Sequence, residues 1–160
     1  YLIKALKSLK LTHPNFKLKI FGDGSIYEYN LIAEEIKNND LTENITIEKF
    51  TEDIKIIIKN CKLMLVPSQE EESFGYTIIE AMSLSKPIIT TDIGGMPEVL
   101  ENGVSGYVCS RFNPEQFSSS IKDLLNNDDK YEKFSINARN RFINNYKSEK
   151  MTKNYKKFLE

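Results

Sequence analysis

A chain of 160 residues with 40% apolar side chains suffices for one globular domain that buries about 70% of its unfolded surface. Its 22 basic and 23 acidic residues leave a formal net charge of -1, which argues against a surface built to neutralise nucleic-acid phosphates. Cys61 and Cys109 stand far apart with no CxxC pair, so neither a disulfide framework nor a zinc site is expected, and no apolar run approaches the roughly 18 residues of a membrane span.

Leu2, Ile3, Ala5, Leu6 and Leu9 recur at helical spacing from the first residues, so the chain opens inside a helix and is expected to continue a longer polypeptide. Thr12-His13-Pro14-Asn15 makes a turn, and the lone histidine beside that proline reads as a surface residue rather than a base. Lys17 to Phe21 alternates into a strand closed by Gly22-Asp23-Gly24. Ser25 then suits the N-cap of a helix over residues 26–37. A Gly-x-Gly turn at a strand's carboxyl end can line a ligand crevice, and a plain tight turn explains it equally well. A strand over 45–49, a short helix over 53–60 and an apolar strand over 62–66 follow.

The densest stretch runs from Val66 to Glu98 and reads strand, polar turn, helix, strand, glycine turn. Thr77, Ile78, Ile79, Ala81, Met82 and Leu84 require a helix that begins near Gly75 or Tyr76 and stops before Pro87. Its first-turn amides, about Phe74 to Thr77, have no intrahelical partner and carry the positive end of the dipole, which suits a phosphate. Gly75 lets a ligand approach the backbone. Glu72 lies just before that turn and Glu80 about one turn inside the helix, so both carboxylates can border one small volume and accept hydrogen bonds from hydroxyls flanking a diphosphate. Spacing alone leaves open a solvated acidic loop at Glu70 to Glu72 and a water-facing Glu80. Pro87 to Thr91 gives the next strand, Gly94-Gly95 a turn, and Glu98 reads as an ordinary first-turn helix residue. A last strand at Tyr107 to Cys109 precedes helices over 114–126, 130–145 and 149–159. Five strands alternating with helices predict an α/β fold with a doubly wound, Rossmann-like parallel sheet.

Glu72-Ser-Phe-Gly-Tyr-Thr-Ile-Ile-Glu80 with the downstream Gly94-Gly95-Met96-Pro97-Glu98 resembles the E-x7-E signature and Gly-Gly-x-Pro-Glu block of the family 4 retaining glycosyltransferases. The resemblance runs over nearly the whole chain. It implies the C-terminal, donor-nucleotide half of a GT-B fold over residues 1–160, with residues 146–160 a terminal crossover helix. Glu72 would hold a hydroxyl of the donor sugar as the catalytic-site carboxylate, and Glu80 the ribose hydroxyls. Phe74, Gly75, Tyr76 and Thr77 would cradle sugar and diphosphate. Gly22, Gly24 and Lys49 to Thr51, with Phe50 between, would line the nucleotide. Two positions depart from the pattern: Lys49 stands where the family commonly has glycine, and Ser148 where a tryptophan usually starts the last helix.

The implied reaction moves a hexose from a sugar nucleotide, UDP-sugar favoured, with retention and without cofactor or metal. The acceptor would be a glycan or polyprenyl-linked saccharide bound by a preceding domain, and the isolated domain would be inactive or nearly so. A cytoplasmic place follows, at the inner face of the plasma membrane as a peripheral protein. Heavy use of Lys, Asn and Ile fits bacterial surface-polysaccharide loci. Two other readings stay open, a nucleotide-sugar epimerase of the same fold and a non-catalytic α/β binding module. In the doubly wound order the strands at Lys17 to Phe21 and Lys62 to Val66 should flank a central position that these residues do not fill.

Overall fold

The computed structural model describes residues 1–70, 72–150 and 152. Strands and helices alternate in the expected order: α1 (Leu2–Lys10), β1 (Leu18–Phe21), α2 (Ile26–Asn38), β2 (Ile45–Glu48), α3 (Ile54–Asn60), β3 (Met64–Val66), α4 (Tyr76–Ser83), β4 (Ile88–Thr91), α5 (Met96–Val99), β5 (Gly106–Cys109), α6 (Pro114–Asn126) and α7 (Asp128–Asn145). The terminal helix expected over 149–159 falls largely outside the described residues.

Every pairing is parallel, but the strands form two sheets rather than one. β1 pairs with β2 in the register Leu18↔Ile45, and β4 sits between β3 and β5 in the registers Met64↔Ile88 and Ile88↔Gly106. No strand of the described residues joins β1 to β3. The spatial order is therefore the doubly wound one, interrupted where the sequence places a central strand.

Alternation along β4 divides the interior into two layers. Ile89 points with Leu6, Leu9, Phe117, Ile121 and Leu124 into a core under α1 and α6. Ile88 points the other way, with Ile78, Met82, Met96 and Ala138, into a core under α4, α5 and α7. Both faces of β4 being covered, all four of its residues are buried, as a parallel sheet requires. Cys109 is buried in the first layer and Cys61 borders the second; both thiols are free, and burial pushes both up from their ordinary range.

Helix ends follow local chemistry. Ser25 and Glu28 form a reciprocal capping box, and the hydrogen bonds from Ser25 hold the Glu28 carboxyl below its ordinary range. Asn113 and Asn127 cap α6 and α7 through the amides of Gln116 and Lys130. The cap at Asn127 starts α7 two residues before the expected Lys130, with Asp128 and Asp129 in the first turn where the dipole favours them. His13 lies half-buried in its turn, its ring nitrogens 2.9 Å from Thr12 Oγ1 and from Asn126 Oδ1, so it ties the end of α1 to the end of α6.

Candidate functional site

The strands within each sheet run parallel, and the loops and helix starts that follow their carboxyl ends carry the residues of the candidate site, Glu80 lying one turn inside α4. The best-defined part is the start of α4. Gly75 is its N-cap at φ 75°, a left-handed conformation that side-chain-bearing residues rarely adopt, and a Cβ there would also lie 3.1 Å from Ile78 and 3.3 Å from Met96. Its N–H donates to the Glu72 carboxylate at 3.0 Å. Glu72 is thus a half-buried side-chain cap that uses Oε1 on the backbone and keeps Oε2 free of partners among the described residues. The amides of Tyr76 and Thr77, next in the turn, donate to no described residue. A helix start with two open amides, positive end outward, remains available to an anion.

Ile78, Ala81 and Met82 are buried, which turns Tyr76 and Glu80, four residues apart, onto the opposite face of α4. The Glu80 carboxylate is half-buried and accepts no hydrogen bond from a described side chain, while its carbonyl takes the Ser83 hydroxyl at 2.7 Å. Tyr76 is 69% exposed, and Phe74 packs edge-on between Tyr76 and Tyr146, ring centroids 5.4 and 6.4 Å away. The α4 start is thereby braced against the end of α7.

The loop holding Glu72 rests on the Gly94-Gly95 turn after β4. A Cβ on Gly94, whose φ is 53°, would fall 1.6 Å from the Glu72 carbonyl oxygen, and one on Gly95 would fall 2.8 Å from that of Ser73. The paired glycines are therefore the floor under the signature loop. From the other side, the Thr91 hydroxyl donates to the Ser68 carbonyl at 2.5 Å and ties the end of β4 to the loop after β3. Glu98 stays exposed, its N–H donates to the Gly95 carbonyl at 3.0 Å and its carbonyl accepts from Arg141 at 2.7 Å, while its carboxylate meets no described partner, so it is a helix residue as the sequence suggests.

The loops after β1 and β2 sit together. Asp23 accepts the Phe50 N–H at 3.3 Å, which brings Gly22 and Gly24 beside Lys49 to Thr51. A Cβ on Gly22 would meet nothing within 4 Å, so its backbone lies open. Phe50 is 65% exposed, and Thr51 turns its hydroxyl to the Asp53 amide at 3.2 Å, which starts α3. After β5, Asp92 accepts the Arg111 N–H at 2.8 Å, and the Arg111 guanidinium lies 4.8 Å over the ring of Phe112. The sequence reading missed Asp23, Asp92 and the glycine floor. The available signal was position, since each follows directly on a strand's carboxyl end.

Among the described residues no three His, Cys, Asp or Glu side chains gather as metal ligands would, and no helix is long and apolar enough to cross a membrane.

The family model described as glycosyl transferases group 1 matches residues 1–141. The chain belongs to that family. Poly(ribitol-phosphate) alpha-N-acetylglucosaminyltransferase of Staphylococcus aureus is 30% identical over 134 residues, 83% of this chain and 27% of that protein. The crystal structure of a glycosyltransferase from Rickettsia africae superposes with a TM-score of 0.86 at 31% identity, covering 99% of this chain and 44% of that one. A variant of S. aureus TarM, solved with fondaparinux, alpha-GlcNAc-glycerol and UDP, gives a TM-score of 0.86 at 27% identity over 96% of this chain and 31% of its own. The chain spans 34%, 37% and 42% of the length of three further curated relatives that it matches. These likenesses agree with the α/β, GT-B fold expected from the signature.

Proposed function

We propose that this chain is the donor-binding C-terminal domain, over residues 1–160, of a retaining glycosyltransferase that takes a hexose from a UDP-sugar. The observation that carries the proposal is the start of α4: amides at Tyr76 and Thr77 and a Glu80 carboxylate that have no hydrogen-bond partner among the described residues, and a cap from Glu72. The amides of Tyr76 and Thr77, with Phe74 and Gly75 shaping the approach, receive the diphosphate. Glu80 accepts hydrogen bonds from the ribose hydroxyls. Glu72, held by Gly75 N–H through one oxygen, accepts a hydroxyl of the donor sugar through the other. Gly22, Gly24, Lys49, Phe50 and Thr51 border the base, brought together by Asp23.

UDP as the carrier is supported by the nucleotide bound to the TarM variant, and a polymeric acceptor by the poly(ribitol-phosphate) in the name of the S. aureus relative. The acceptor, a glycan or polyprenyl-linked saccharide, binds a preceding domain, and the whole enzyme works without a metal in the cytoplasm at the inner face of the membrane. Transfer then needs both domains. Two measurements test the reading. A calorimetric panel of UDP, GDP and ADP should show heat for UDP first, and no binding by any of them would sink the donor-site assignment. The purified chain, offered UDP-sugars and acceptors, should transfer nothing; measurable transfer would show that it is more than half an enzyme.

A further inference from the structure

α7 grips α4 along its length. Ser135, Ala138, Arg139, Phe142 and Tyr146 recur three or four residues apart and so share one face of α7. Ala138 is fully buried in the layer that holds Ile78, Ala81 and Met82, which brings the two helices close. The Ser135 hydroxyl donates to the Ser85 carbonyl at 2.5 Å and the Arg139 guanidinium to the Ser83 carbonyl, both at the carboxyl end of α4. Tyr146, at the other end of the same face, meets Phe74 just ahead of α4, with ring centroids 6.4 Å apart and ring planes at 74°. The two helices therefore run antiparallel, and one face of α7 reaches both ends of α4.

The start of α4 needs such support. It pivots on Gly75, whose φ of 75° a glycine leaves as readily as it adopts, so the backbone does not by itself fix the turn that aims the Tyr76 and Thr77 amides. Side chains must fix it. Glu72 does so through the Gly75 N–H, and Phe74 through its ring, which stands edge-on to Tyr76 at 5.4 Å and to Tyr146 at 6.4 Å, separations at which aromatic pairs attract. Tyr146 is itself seated, half-buried in the layer that includes Phe142, its hydroxyl donating to the Val99 carbonyl at 3.4 Å. We infer that Tyr146 is a positioning residue for the diphosphate site: through the Phe74 ring it holds the turn from which the Tyr76 and Thr77 amides point outward. This rests on the donor-site reading above. The effect is confined to the first turn. Glu80 lies further along a helix anchored by its own buried Ile78, Ala81 and Met82, and the loops proposed to border the base follow β1 and β2. Removing the Tyr146 ring should loosen the hold on the diphosphate and leave the hold on the nucleoside unchanged.

Titrating UDP and uridine into the wild-type chain, Tyr146→Ala and Tyr146→Phe separates positioning from bulk support, with calorimetry reading UDP and NMR chemical shifts reading uridine. Tyr146→Ala should weaken UDP about three- to tenfold, the size of one aromatic pair, with uridine unchanged. Tyr146→Phe keeps the ring and gives up the hydroxyl, and should bind UDP as the wild type does. Tyr146→Leu fills much of the same space without a ring edge, and should show the same selective loss where the alanine variant does not fold. Equal UDP affinity in the wild type and in folded Tyr146→Ala or Tyr146→Leu would overturn the inference. So would a loss shared equally by UDP and uridine, which is what a merely structural role gives. Absence of UDP binding by the wild-type chain is a different failure: it would overturn the donor-site reading, and this inference with it.

Discussion

The two sheets are held very differently. β4 is buried along its whole length between two apolar layers, and α4, α5, α6 and α7 all press side chains into one layer or the other. The β1–β2 sheet is half-buried, and α2 offers the core only Ile36 as a fully buried residue while Ile26, Tyr27, Tyr29 and Leu31 stand 81%, 72%, 51% and 46% exposed. The lesson is a division of labour along the carboxyl edge. The glutamates that carry the proposed chemistry sit on the tightly packed half. The loops proposed to border the base hang from the looser half, joined through the Asp23 to Phe50 contact.

If that division is right, the same substitution should cost very different amounts in the two halves. Gly94→Ala drives a Cβ into the Glu72 carbonyl from a backbone of positive φ, and should destabilise the chain by about 4 kcal/mol or prevent folding. Gly22→Ala meets open space and should stay within about 0.5 kcal/mol. Urea unfolding of the pair measures the contrast, and similar midpoints would break it.

Core truncation sharpens the same point at a smaller scale. Met82→Ala, at a fully buried position of α4, should cost about 3 kcal/mol. Leu31→Ala on α2 should cost under about 1 kcal/mol because nearly half of that side chain already meets solvent. Calorimetric melting of the two variants decides whether α2 is as loosely held as its exposure implies.

The smallest effect lies on the far side of the packed half. Burial pushes the Asp123 carboxyl up, but hydrogen bonds from Lys130, at 2.8 Å, and from the Tyr107 hydroxyl outweigh it and hold the group below the usual carboxylate range. A carboxyl depressed in the folded state adds stability above its unfolded value and loses it as pH falls through the folded one. Stability should therefore drop as pH falls below about 4, and Asp123→Asn should flatten part of that drop. With both side chains about one third exposed, the change at neutral pH should stay under about 1 kcal/mol.

Much of this was legible in the sequence. The apolar run from Thr77 to Leu84 and Pro87 bracketed α4, and the structure starts it at Tyr76. The doubly wound order, with its interruption between β1 and β3, followed from strand spacing and the helical start of the chain. The start of α7 was also written locally, in the cap Asn127 and the two aspartates after it, and placing it at Lys130 overlooked that signal. Contacts between loops were not legible. Nothing within either segment says that Gly94 lies against the carbonyl of Glu72, or that Asp23 reaches Phe50, because those pairings exist only once the strands lie side by side. The capping of Gly75 by Glu72 falls between these cases. Its spacing was visible, but its geometry needed the left-handed turn at the glycine.

The central claim is that Glu80 of α4, whose carboxylate has no partner among the described residues, binds the nucleotide. Calorimetric titration of UDP into the wild-type chain and into Glu80→Ala tests it most directly. Glu80 accepts no hydrogen bond from a described side chain and lies on the face of α4 opposite the core, so the substitution should leave the fold intact. Losing a charge-assisted hydrogen bond worth roughly 1.5 to 3 kcal/mol should weaken UDP about 10- to 100-fold. Unchanged affinity in a variant that melts like the wild type would contradict the account.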